Sequence, residues 1–196
     1  PDNITKLIKE AHMDNGASSY LRFLNDDREG FVQIVKDYKD GLVFYLNNIV
    51  GDIHHAEELT IDTFVKLFYE KPKFKGKCSF KTWLFSIGRY TALDYIRKNK
   101  RVTEISIDDA LDISDGENLE REYIKNKERI RLRQTIKKLK PEYSQVLYLI
   151  FFEDFNTSET AEIMGKSNKQ IIDLLYRAKA ALKKEIEKEG YTYDGL

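Results

Sequence analysis

Apolar residues recur three and four positions apart along most of this chain, the spacing that lines one face of an α-helix. Phe31, Ile34, Val35, Tyr38, Leu42, Leu46 and Ile49 keep that spacing and predict a helix over Arg28–Val50. Asp26 or Asp27 offers its N-cap, Gly51 stops it, and Asp52 can cap a successor over Ile53–Glu70. That successor turns Ala56, Leu59, Thr63, Phe64, Leu67 and Phe68 inward and keeps Glu57, Glu58 and Asp62 outside; Pro72 ends it. A third helix is predicted over Ser79–Arg101. Its apolar positions, from Phe80, Trp83, Leu84 and Phe85 to Ala92, Tyr95 and Ile96, cover much more than half the circumference. Such a helix sits inside a domain with neighbours on two sides. Ahead of these helices, residues 1–18 are polar and weakly periodic, which predicts disorder or a loose helix. Tyr20, Leu21, Phe23 and Leu24 then form an apolar clump of one or two turns.

Beyond Arg101 the helical period fades, and 102–118 reads as a flexible acidic linker. Period returns near Asn118 and runs to Leu139 on Ile124, Ile130, Ile136 and Leu139. Pro141 suits the first turn of a further helix, Glu142–Phe152, with Tyr143, Val146, Leu147, Leu149 and Ile150 as its apolar face. Asn156 and Glu159 can form a capping box, Ala161 is small enough for a close helix crossing, Gly165 suits a positive-φ turn, and Ser167 caps the last helix. There Ile171, Leu174, Leu175, Ala178 and Leu182 face inward, and Lys169, Asp173, Tyr176, Arg177 and Ala180 face out. Short helix, glycine turn and second helix make a helix-turn-helix, whose outward face would enter a major groove. The fold class expected is all-α: an extension over 1–26, a helical bundle over 27–101, the linker, a helix-turn-helix domain over 119–188, and a tail over 189–196.

Polar chemistry sharpens that picture on the third helix. Thr82, Ser86, Arg89, Tyr90 and Arg97 lie along one narrow strip, and the helix ends in Arg97, Lys98, Lys100 and Arg101. Hydroxyl, aromatic and guanidinium groups in a row donate to phosphate and stack on bases. The loop before it, Lys71–Ser79, alternates lysines with Pro72, Phe74, Gly76 and Cys78; Phe74 is placed to stack on a base or to pack down as a lid.

Net charge is zero over 196 residues, but unevenly spread. Residues 1–70 carry a net −6, 71–101 a net +9, 102–124 a net −7 and 125–188 a net +6. Two basic blocks around an acidic one suggest two nucleic-acid contacts on a tether. The single Cys78 excludes an internal disulfide and fits a reducing cytoplasm. No apolar run reaches the length of a membrane span, and no signal-peptide core precedes the first helix.

Three stretches in order carry a family resemblance. They are AEELTIDTFVKLF (Ala56–Phe68), SFKTWLFSIGRYTALDYIRK (Ser79–Lys98) and SETAEIMGKSNKQIIDLLYRAKAALKK (Ser158–Lys184). Together they resemble the bacterial extracytoplasmic-function (ECF) sigma factors, across about Asp27–Lys188. The resemblance implies a cytoplasmic protein that binds core RNA polymerase and promoter DNA, is commonly held by an anti-sigma factor, needs no cofactor and is not an enzyme. It places core-polymerase binding on Glu57, Glu58, Ile61 and Asp62. It places minus-ten capture on Phe74, Lys75, Lys77, Arg89, Tyr90, Arg97 and Lys98. It places minus-thirty-five reading on Ser167, Asn168, Lys169, Ile172, Asp173, Tyr176 and Arg177. The chain departs from the family pattern at four places: Ile61 for a usual Gln, Tyr90 for a usual Asn, Ile172–Asp173 for a basic–small polar pair, and Lys166 for an apolar turn residue.

Two other readings use the same residues. A helix-turn-helix regulator that never meets polymerase accounts for the C-terminal half and leaves the N-terminal half without a role. An enzyme would need more than His54 and Glu58 one turn apart with His55 adjacent, since no third ligand stands at a suggestive spacing. Cys78 has no His partner, and its lysine neighbours would make it at most an oxidisable thiol.

Overall fold

A computed structural model describes residues 15–103 and 123–188 of the chain, with side chains over 15–99 and 130–188. Among these residues the elements are helices α1 (Asn15–Leu24), α2 (Arg28–Val50), α3 (Ile53–Glu70), α4 (Phe80–Thr103), α5 (Tyr123–Lys137), α6 (Pro141–Phe151), α7 (Thr157–Met164) and α8 (Asn168–Lys188), with no strand. The linker expected over 102–118 and both chain ends fall largely outside the described residues.

Local chemistry sets most boundaries. The Asp27 side chain accepts from the Glu29 N–H, and its carboxyl is held below the ordinary range, first by the Arg22 hydrogen bond at 2.8 Å. Gly51 closes α2 in the left-handed region at φ 83°, its N–H donating to Asn47 O. The Asp52 carboxylate then accepts from the His55 N–H at 2.8 Å, the main reason its carboxyl titrates low. Lys71, also left-handed at φ 42°, ends α3 one residue before the proline expected to do so.

In the first domain α2 is the central rod, with α1, α3 and α4 around it. Ile34, Leu42, Leu46, Leu67 and Leu84 are fully buried there. The apolar clump ahead of α2 is a proper helix, α1, and its Tyr20 is sunk among Phe80 and Trp83 at 5.4 and 5.5 Å between ring centroids. Burial pushes the Tyr20 phenol up to about 12, and its hydroxyl donates to Pro72 O at 2.7 Å. So α1 pins the lysine loop to the bundle, and the one or two helical turns expected at Tyr20–Leu24 begin at Asn15.

In the second domain α6 is the buried rod, with α5, α7 and α8 packed on it. Val146, Leu147, Leu149, Ile171 and Ala178 have no exposed surface. Ile130, expected as an anchor of α5, is 46% exposed, and Ile136 carries that role with Thr135 beside it. Ile130 lies six residues from Ile136, out of phase with the buried face of a 3.6-residue helix.

A composition-based linker predicts two domains free to reorient, but the structure packs them together. Helix α4 lies against α7, and α2 against α6. The Phe85 and Phe155 rings meet edge-on at 5.2 Å, and one continuous apolar core runs through both domains. The cause is the breadth of the apolar face of α4: the first domain covers only part of it, and α7 with the turn before it covers more.

Candidate nucleic-acid interface

The helix-turn-helix forms as its residues dictate. Asn156 accepts from the N–H groups of Ser158 and Glu159, while Glu159 accepts in return from the Asn156 N–H, a complete capping box. Gly165 turns the chain at φ 63°. Ser167 and Gln170 cap α8 reciprocally: the Gln170 N–H donates to Ser167 Oγ at 3.2 Å, and the Ser167 N–H to Gln170 Oε1 at 2.8 Å. Lys166, unusual in such a turn, pairs with Glu142 at 3.0 Å and ties the turn to the start of α6. Inward positions Ile171, Leu174, Ala178 and Leu182 are buried. Ser167, Asn168, Lys169, Ile172, Asp173, Tyr176 and Arg177 are all exposed, Tyr176 at 78%. Arg177 Nε donates to the Asp173 backbone carbonyl at 3.3 Å, which leaves the Asp173 carboxylate without that arginine. A capped helix thus presents donors, an acceptor and a ring on one face, the requirement for reading base edges.

The strip on α4 is less open than its spacing predicts. Thr82 is fully buried, Ser86 and Arg89 are half-buried, and only Tyr90 (65%) and Arg97 stand in solvent. Ser86 spends its hydroxyl on Thr82 O at 2.8 Å. Arg89 lies against the buried phenol of Tyr45, which burial pushes well up and the guanidinium pulls partly back. Neither Tyr45 Oη nor Arg89 Nε completes a hydrogen bond. At the C-terminal end of the strip, Arg97 and Lys98 flank Asp94 at 3.5 and 3.0 Å, and Lys98 above all holds the Asp94 carboxyl low. Of the loop residues, Lys75 and Lys77 are exposed, whereas Phe74 packs down on Trp83 and Phe80 at 5.2 and 5.7 Å. Phe74 is thus in the packed-down one of the two arrangements open to it.

A third surface lies on α3. Glu57, Glu58, Ile61 and Asp62 are exposed together, Ile61 at 58%. Val65 and Tyr69 continue the line of Ile61 at four-residue steps, both exposed. Beside them runs an apolar groove of about 360 Å³ between α2 and α3, lined by Phe31, Val35, Phe64 and Phe68 among others. Sequence reasoning missed Val65 and Tyr69, although their spacing from Ile61 was a readable signal: an apolar line on a helix whose core face was already complete. Among the described residues no group of three His, Cys, Asp or Glu is placed to hold a metal; His54 instead lies 3.9 Å from Glu57.

Comparison with known proteins settles what kind of chain carries these surfaces. The Sigma-70 region 2 family model matches residues 34–102, and the Sigma-70 region 4 model matches 129–182. The RNA polymerase sigma factor YlaC of Bacillus subtilis is 30% identical over 163 residues, covering 82% of this chain and 94% of YlaC. The chain belongs to the sigma-70 family. Its relatives place it in the ECF group: SigW of the same organism, an ECF RNA polymerase sigma factor, is 25% identical over 169 residues, 82% of this chain and 90% of SigW. Among solved structures, the sigma factor RpoE in complex with the anti-sigma factor NepR from Bartonella quintana shares the fold at TM-score 0.65 and 20% identity, over 80% of this chain and 96% of that one. CnrH in complex with the cytosolic domain of CnrY shares it at TM-score 0.63 and 20% identity, over 89% and 99%. In this sigma factor the region 2 match takes in most of α2, all of α3 and nearly all of α4; the region 4 match takes in α6, α7 and most of α5 and α8. A sigma factor acts in transcription initiation and is not a catalyst. No helix among the described residues is long and apolar enough to cross a membrane.

Proposed function

We propose that this sigma factor docks on core RNA polymerase through the outward face of α3 and directs it to promoters by reading two DNA elements. Glu57, Glu58 and Asp62 supply charge at the docking face, and Ile61 supplies apolar contact beside the groove. The exposed end of the α4 strip, Tyr90, Arg97 and Lys98 with Lys75 and Lys77 of the loop, takes the melted minus-ten strand: the cations meet phosphate and the ring meets a base. Helix α8 reads the duplex minus-thirty-five element. An anti-sigma partner holds the protein in check, in keeping with the complex that RpoE forms with NepR. A regulator that never meets polymerase leaves the α3 face idle.

The observation that carries this reading is α8: every residue assigned to the DNA face is exposed, while Ile171, Leu174, Ala178 and Leu182 on the opposite side are buried. Run-off transcription with core polymerase on genomic fragments tests it. Discrete transcripts whose upstream regions share two spaced elements are expected. Transcripts that start without any shared element, or no transcripts from a chain that still binds core polymerase, would overturn it.

A further inference from the structure

The contact between the two domains includes groups suited to another ligand. Lys81 Nζ, at the start of α4, pairs with Glu153 Oε2 at 2.9 Å and donates to the Glu153 carbonyl at 2.8 Å. Its ammonium also lies over the Phe155 ring, 4.8 Å from the centroid. The other oxygen of Glu153 accepts from Tyr148 Oη at 2.9 Å. The carboxylate rests on bare backbone at Gly41 of α2, where a Cβ would stand 2.7 and 2.8 Å from its two oxygens. A second carboxylate, Glu159 of α7, faces the hydroxyls of Ser79 and Thr82 at 3.4 Å each. So an ammonium and two hydroxyls at the N-terminus of the DNA-facing helix, groups that serve phosphate oxygens well, are taken up by two carboxylates of the second domain.

We infer that Glu153 and Glu159 occupy phosphate positions on α4, so that the unpartnered sigma factor closes on itself and masks the upper half of its minus-ten strip until the domains separate. This rests on the reading of α4 as the minus-ten element. The closure carries a polar latch at the edge of its apolar contact: an ion pair with 31% and 12% side-chain exposure and two hydroxyl bonds of 3.4 Å, all of which break when the domains separate. Removing one member of the pair leaves the other charge poorly solvated in the closed form, which favours opening. Opening also uncovers Lys81, Ser79 and Thr82 for the strand. Apparent affinity is the intrinsic affinity scaled by the open fraction, so a chain closed about nine-tenths of the time gains about tenfold when the latch is lost.

The test uses the full chain, with small-angle scattering for closure and fluorescence anisotropy for binding of a labelled single-stranded oligonucleotide. Glu153→Gln is expected to expand the chain and tighten oligonucleotide binding about tenfold. The charge-swapped pair Lys81→Glu with Glu153→Lys is expected to return both toward the parent values, which a general loss of folding would not do. A Glu153→Gln chain as compact as the parent, with unchanged binding, overturns the latch. Expansion without tighter binding overturns the masking. If Arg97→Ala also leaves binding unchanged in that expanded chain, the failure lies in the assignment of the strip to DNA; if Arg97→Ala weakens binding, the strip stands and only the masking is lost.

Discussion

Helices α4 and α8 each set an apolar face against a row of DNA-suited side chains, yet the row is open on one and half covered on the other. On α8 the inward set is confined to one side, and everything across from it is solvent. On α4 the apolar face is so broad that a second domain settles on it, and Thr82 goes under with it. A narrow apolar stripe predicts its own exposed face; a wide one predicts burial without saying who does the burying. The comparison also separates two kinds of side chain. Those of α8 stand exposed, with only single local hydrogen bonds at Ser167 and Arg177, whereas Ser86 of α4 spends its hydroxyl on Thr82 O and Arg89 lies half-buried against Tyr45.

The largest expected effect breaks the covered side. Phe85→Ala empties a site between Tyr45 and Phe155 and is expected to cost about 3–5 kcal/mol, read as a lower urea midpoint by circular dichroism. Tyr176→Ala on α8 is expected to stay within about 0.5 kcal/mol of the parent. A comparable loss in both would erase the distinction between the helices. Next in size is the cap that builds the reading module. Asn156→Ala is expected to cost about 1 kcal/mol and to weaken duplex binding with it, whereas Asn156→Asp keeps an acceptor and most of the stability.

Two smaller effects sharpen the contrast at the DNA face. Arg97→Ala is expected to weaken oligonucleotide binding about equally on all sequences and to lower the salt slope by about one. Arg89→Ala should alter folding stability more than that slope, because its guanidinium is turned toward Tyr45. On α8, Asp173 has no arginine on its carboxylate, so it is free to accept from a cytosine amine. Asp173→Asn is expected to raise binding to random duplex and relax selectivity at a single position, measured over a library of single-base promoter variants. A change spread evenly over all positions would leave Asp173 as surface charge alone.

The smallest effect concerns acid. The Asp52 carboxyl sits below its ordinary range, so its contribution is full above the unfolded pKa and is lost as pH falls through the folded one. Asp52→Asn keeps an N-cap acceptor but removes the titration. The variant is expected to lose less stability than the parent between neutral pH and the acid range below the ordinary carboxylate pKa, read from denaturant midpoints at each pH.

The helices themselves are legible in the amino-acid sequence because their causes are local. Asp27, Gly51, Asp52, Asn156, Gly165 and Ser167 each act within one turn of where they stand. The outward face of α8 follows from the same short-range phase. What only the tertiary structure decided lies in contacts far apart in sequence: Lys81 with Glu153, Thr82 with Glu159, and Phe74 folded onto Trp83 under the hold of Tyr20 on Pro72. Periodicity reports which side of a helix avoids water, and caps report where it stops. Neither carries the position of a distant partner, because that position depends on how two whole faces fit and on which charges are left to meet at their edge.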